Sequence, residues 1–235
     1  MKSPNEHSHS DALICNSELI FDKQSLDAKI QLAIETETQE NLRPAIASVL
    51  CEANIFGRRL IQAAFKKAPF ESAKTIASYS FLKDSLISYV FDVVKATLLS
   101  KSHSSASSPE HISIIAVGGY GRSEMAPHSD LDLLFLTRAN TSKHEEKLIE
   151  NILYILWDMK LKIGYSTRSA AQCIQLGKSD QTIKTALLEY RYLCGNKDLA
   201  ADLGKRLWND LFKASTTEYV EEKLAERAKR HERQG

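Results

Sequence analysis

A chain of 235 residues is long enough to bury a full core, as one globular unit or two small ones. Its 43% hydrophobic and 26% charged residues are the balance of a soluble protein, and a formal charge of +1 without a Lys/Arg-rich run gives no electrostatic case for nucleic acid as a partner. No apolar run approaches a membrane span, the polar start Met1-Lys-Ser-Pro-Asn-Glu lacks a signal-peptide core, and Cys15, Cys51, Cys173 and Cys194 are too scattered for a zinc site or a disulfide frame, so a cytoplasmic protein free of the membrane is expected.

Residues 1–22 read as a flexible, polar arm, and residues 23–100 as a helical region. Pro44 stands near a helix start, followed by Val49, Ala53, Phe56, Leu60 and Ile61 at helical spacing. After Pro69 a second run carries Ile76, Leu86, Ile87, Val90, Val94 and Leu98, and the short link between the two predicts an antiparallel pair. The serine-rich stretch 101–110 has no packing residues and reads as a linker.

An α/β core is expected over 111–175. It comprises a strand from His111 to Val117, a glycine turn, a second strand from Leu131 to Thr137, an amphipathic helix from Glu145 to Met159 and a third strand from Leu161 to Arg168. Residues 176–235 read as helical again. A stripe of Ile183, Ala186, Leu187, Tyr190 and Leu193 closes at Gly195 as a helix C-cap, and Leu199–Trp208 forms a further helix. The charged stretch Glu218–Arg233 has little to bury and ends without closing structure, which predicts a C-terminal truncation.

The chemistry is concentrated in Val117-Gly-Gly-Tyr-Gly-Arg122 and Pro127-His-Ser-Asp-Leu-Asp132. Successive side chains of a strand point to opposite faces, so Asp130 and Asp132 share one face while Leu131 and Leu133 take the other. Two carboxylates held this close repel each other unless a cation lies between them, and Mg²⁺ prefers such hard oxygen donors. Gly118, Gly119 and Gly121 permit positive φ and let a phosphate approach bare backbone N–H groups. Neither a P-loop nor a dinucleotide Gly-x-Gly-x-x-Gly is present. A metal-binding pair facing a phosphate-binding turn suits transfer of a nucleotidyl group.

A glycine turn followed by Asp-x-Asp on the next strand resembles the nucleotidyltransferase superfamily typified by the DNA polymerase β palm. The fuller string, with Glu124, Leu156-Trp-Asp158, Gly164-Tyr-Ser-Thr-Arg168 and the run from Asp180 to Arg191 followed by Gly195, resembles the bacterial PII uridylyltransferase/uridylyl-removing family over roughly residues 40–233. Ser123 departs from it, standing where that family usually carries another glycine.

The resemblance implies an α+β fold, with a polymerase-β-like core of a small mixed sheet and helices flanked by helical segments. It also implies transfer of UMP from UTP to a tyrosine of the PII signalling protein, with Mg²⁺ on Asp130 and Asp132, and with Arg122, Ser129 and Arg168 joining the three glycines at the nucleotide. The superfamily often adds a third carboxylate, for which Asp158, Asp180 and Glu189 all stand open. Nothing in the motif reads uracil against adenine. Adenylylation of glutamine synthetase or a small molecule therefore stays an alternative, as does a catalytically silent, nucleotide-binding regulatory domain.

Overall fold

The computed structural model describes residues 12–97, 111–213 and 216–234. The linker 101–110 and the first half of the arm 1–22 lie outside the described residues. The second half of that arm is not loose. Asn16 caps a one-turn helix, α1 (Ser17–Ile20), accepting from the Glu18 N–H at 2.8 Å. Ile20 is buried, and Leu13, Ile14 and Cys15 pack against the core. These few apolar groups among polar neighbours are enough to tie the segment down.

Asp22 caps α2 (Lys23–Thr36) through the Ser25 N–H at 2.9 Å. The long helices α3 (Gln39–Lys67) and α4 (Ser72–Thr97) follow and pack against each other across a short link. Pro44 lies inside α3, in its opening turns and so near its start. A proline in the opening turns removes a single intrahelical hydrogen bond, and burial of Leu42, Ile46, Ala47 and Leu50 outweighs that loss.

The sheet has four strands in the order β3-β2-β1-β4. They are β1 (Ser113–Ala116), β2 (Leu131–Thr137), β3 (Ile163–Ser169) and β4 (Arg191–Gly195). β1 pairs antiparallel with both β2 and β4, whereas β2 and β3 run parallel, so the sheet is mixed and the fold is α+β. The parallel pair needs a crossover, supplied by α6 (Lys143–Asp158). A capping box starts that helix. The Glu145 N–H donates to Ser142 Oγ at 3.2 Å, and the Ser142 N–H donates to the Glu145 carboxylate at 2.6 Å.

Strand alternation divides the sheet between two cores. Ile112, Ile114, Ala116, Leu131, Leu133 and Phe135 join α1–α4 and α6, while Ile115, Leu134 and Leu136 face the other layer. That layer holds α7 (Ala170–Ser179), α8 (Gln181–Leu188), α9 (Lys197–Arg206) and a π-helical turn, Leu207–Phe212. The helices of the 23–100 region thus share one continuous core with the sheet. A last helix, α10 (Thr216–Gln234), exposes Val220 and Leu224. Among the described residues no helix is long and apolar enough to cross a membrane.

The helix expected to run through Leu193 to a cap at Gly195 is corrected by the structure. α8 stops at Leu188, and Arg191–Gly195 extends as β4 on the edge of β1, which widens the sheet beyond the expected core limit of residue 175. The stripe fits helical spacing, but β1 carries an unpaired row of backbone groups that only a strand can satisfy.

Candidate active site

Beyond β1 the Val117 N–H donates to the Asp132 carbonyl at 3.1 Å, and the chain then reverses in a single helical turn, α5 (Gly118–Gly121). Gly118 has φ of 60°, a conformation that side chains resist. In any helical turn the first N–H groups have no intrahelical acceptor, and Gly118 and Gly119 hold those positions. Gly121 plays a different part. Its N–H donates to the Val117 carbonyl at 3.1 Å, and a Cβ there would overlap the Glu189 carbonyl. Ser123 adopts φ of 61°, the backbone conformation that favours glycine, and the Ser80 hydroxyl donates to its carbonyl at 2.6 Å.

Asp132 and Gly164 are direct partners across β2 and β3. A Cβ on Gly164 would sit 2.5 Å from Asp132 Oδ1, and one on Gly118 would sit 3.5 Å from Asp132 Oδ2. Both flanks of this carboxylate are therefore kept clear by glycine. Asp132 is the exposed member of a strand otherwise buried throughout. Partial burial raises its carboxyl above the ordinary Asp range, and the charge of Asp130 raises it further. The second effect means that the Asp130 charge reaches the Asp132 carboxylate.

Asp132 opens into a cavity of about 340 Å³. Gly118, Gly164, Ser166 and Arg168 line it on the strand side, with Ile183 and Leu187 of α8 opposite. Gly164, Ser166 and Arg168 pair in register with Asp132, Leu134 and Leu136, so strand alternation sets all three on the Asp132 face. Of the residues expected at the nucleotide, Gly118, Asp132 and Arg168 are thus brought together. Gly119 lies next in the turn, where a Cβ would meet nothing nearer than Arg122 Nη2 at 3.7 Å. Arg122 itself is held by Glu124 at 2.7 Å and Glu189 at 2.6 Å. Ser129 is placed apart from this cavity, its Oγ accepting from the Ala126 N–H at 3.1 Å.

The three open carboxylates are all engaged. Asp158 pairs with Arg43 at 3.2 Å, Asp180 caps α8 through the Thr182 and Ile183 N–H groups, and Glu189 holds Arg122. Among the described residues no group of three His, Cys, Asp or Glu side chains gathers to hold a metal.

Two residues that support the turn are not among those expected at the site: Asp84 carries no motif, and Arg191 only ends the run that begins at Asp180. Arg191 makes a bidentate pair with Asp84 of α4, at 2.6 and 3.0 Å, and donates to the carbonyls of Tyr120 and Gly121 at 3.1 Å each. One guanidinium thereby ties the glycine turn to α4 and β4. Asp84 lies 107 positions from Arg191, inside a helix without a motif, so only the folded chain shows the contact.

Residues 99–194 match the family described as "Nucleotidyltransferase domain". The chain is 40% identical over 226 residues, 95% of its length, to a bifunctional uridylyltransferase/uridylyl-removing enzyme of Cereibacter sphaeroides. A protein of the same name from Ruegeria pomeroyi is 40% identical over 217 residues, 92% of the chain, and one from Rhodospirillum rubrum is 36% identical over the same length. The chain spans 24% of the length of the first two and 23% of the third, about a quarter in each case. The turn, the aspartates and the mixed sheet as far as Cys194 fall inside the matched segment, so residues 99–194 are a nucleotidyltransferase domain in a chain homologous, over most of its length, to bifunctional uridylyltransferase/uridylyl-removing enzymes.

Proposed function

We propose that this chain transfers UMP from UTP to a tyrosine hydroxyl of the PII nitrogen-regulatory protein and releases pyrophosphate. The observation that carries the reading is Asp132, under the charge of Asp130, lining a cavity that Gly118 of the turn also lines, in a chain with uridylyltransferase relatives. In the reaction the tyrosine oxygen forms a bond to the α-phosphorus as the bond from that phosphorus to the bridging oxygen breaks. The tyrosine gives up its proton to solvent water, and the electron pair of the broken bond leaves with pyrophosphate.

The donor set fits Mg²⁺. Asp130 and Asp132 are hard oxygen ligands whose mutual repulsion a cation relieves, and Gly118 and Gly164 leave the space beside Asp132 that side chains would fill. Two bound Mg²⁺ ions would neutralise the phosphate charge and favour the ionised tyrosine. The protein's own part is positioning. The Gly118 and Gly119 amides donate to phosphate oxygens, Arg168 adds positive charge along the cavity wall, and Ile183 and Leu187 exclude water. Cys15, Cys51, Cys173 and Cys194 are all free thiols, in keeping with a reducing cytoplasm as the place of action.

The test is incubation of the chain with Mg²⁺, purified PII and labelled UTP, with labelled ATP in parallel. Label from UTP on a PII tyrosine is the expected result. Label from ATP alone would move the reading to adenylyl transfer, and no label with intact nucleotide binding would make the domain a regulatory one.

A further inference from the structure

On the far side of β2 from Asp132 lies a second cavity, of about 180 Å³. Leu131, which faces away from the aspartates, lines it. Its polar lining carries four cations, Arg58 of α3, Lys83 of α4, and Lys160 and Lys162 of the α6–β3 turn, beside the uncharged groups of Tyr79 and Ser129 and the imidazole of His128. No Asp or Glu lines it, and none of these cations makes an ion pair among the described residues.

Lys83 is the informative member. It is 8% exposed, and its ammonium donates to the neutral Asn54 Oδ1 at 2.8 Å. Burial first, and the Arg58 charge after it, lower its pKa to about 8. A buried ammonium without a carboxylate is costly, and gathering further cations around it adds repulsion. An anion is the group that reverses both effects, and a phosphate accepts several charge-assisted hydrogen bonds at once. Arg58 Nη2 also donates to the Pro127 carbonyl at 2.9 Å, which links the cavity to the loop carrying Asp130.

We infer that this cavity is an anion site that takes a phosphate group, separate from the nucleotide cavity and placed to brace the 125–130 segment behind the aspartates. The assignment stands independently of the transfer reaction, because the site is read from its own cations. The phosphate group can belong to free phosphate or pyrophosphate, or to a nucleotide.

Calorimetric titration of the full chain, without Mg²⁺, uses inorganic phosphate, pyrophosphate and UMP as probes. Pyrophosphate is expected to bind, and Lys160→Gln and Lys162→Gln, both at exposed positions, are each expected to weaken it about tenfold or more. Arg168→Gln, in the nucleotide cavity where pyrophosphate is also released, is run in parallel and is expected to leave in place the binding that depends on Lys160 and Lys162. Lys83→Met should abolish binding; because that change is buried, its melting curve is read alongside, and the two surface variants carry the test if it fails to fold. Stronger binding of phosphate than of UMP assigns the site to the free anion, the reverse order to a nucleotide's phosphate, and either supports a phosphate site. Absence of pyrophosphate binding would overturn the inference. So would binding that Arg168→Gln removes, or binding that neither lysine variant weakens.

Discussion

Asp132 is held open on both sides by glycine and is destabilised by its neighbour Asp130, an arrangement that favours ligand binding over apo stability. Asp132→Asn should therefore lower transfer by several orders of magnitude, since a metal-ligating charge is lost with little change of shape. Turnover within about tenfold of the parent would remove Asp132 from the metal site. The same variant should melt no lower than the parent at neutral pH in chelator, and slightly higher. The sign follows from the raised carboxyl. Its protonated form is the favoured one in the fold, so the cost of Asp132 appears as pH rises through its folded pKa and vanishes below the ordinary Asp range. Melting curves of both proteins should accordingly converge in acid; a constant gap would point to lost packing instead. Gly119 offers the complementary test. It has no positive φ, and its nearest neighbour is the far end of Arg122, so Gly119→Val adds bulk without backbone strain. UTP affinity measured by calorimetry should fall about tenfold or more while the melting temperature changes little, and unchanged affinity would make the turn only a turn.

At the scale of elements, the glycine turn has the form of a helix but is too short to be stable as one. A single turn fixes several dihedrals for very few hydrogen bonds, so its geometry must come from outside. Arg191 and Asp84 supply it through the bidentate pair and the bonds to the Tyr120 and Gly121 carbonyls. Both side chains remain partly exposed, so Arg191→Gln is expected to destabilise by about 1–3 kcal/mol, below what a fully buried pair would lose. A double-mutant cycle with Asp84→Asn should give a coupling of at least about 0.5 kcal/mol. Strict additivity would mean that the two residues act independently. Hydrogen exchange at Gly121 and Arg122 should also speed up in the Arg191 variant, because these amides close the turn on Val117 and Gly118.

At the scale of the molecule, the four N-terminal helices and the sheet bury a single cluster that runs from Ile20 through Leu86 to Phe135 and Leu156. The whole chain is therefore expected to unfold in one cooperative transition, with circular dichroism and tryptophan fluorescence coinciding. A chain beginning at residue 111 should fail to fold by itself, because one face of its sheet would be stripped of α3 and α4. Two separated transitions, or a folded 111–235 fragment, would show that the helical layer is an independent domain after all.

The alternation Asp-Leu-Asp-Leu, the glycine run and the α6 amphipathic pattern are local signals, set by neighbours in the chain, and by themselves they determined β2, the glycine turn and the helix after β2. β4 was hidden, because Ile183, Leu187, Tyr190 and Leu193 satisfy helical spacing as well as they satisfy packing around a strand, and only the open edge of β1 chooses between them. The same limit applies to the site. Asp130, Asp132 and Gly118 could be named from a motif, whereas Gly164 as the partner that clears Asp132, Arg191 with Asp84 as the clamp, and Ser129 turned onto its own loop depend on pairings between distant segments. Side-chain direction and chain spacing belong to the sequence; which distant group completes a hydrogen bond or leaves room for a carboxylate is decided only when the strands and helices meet.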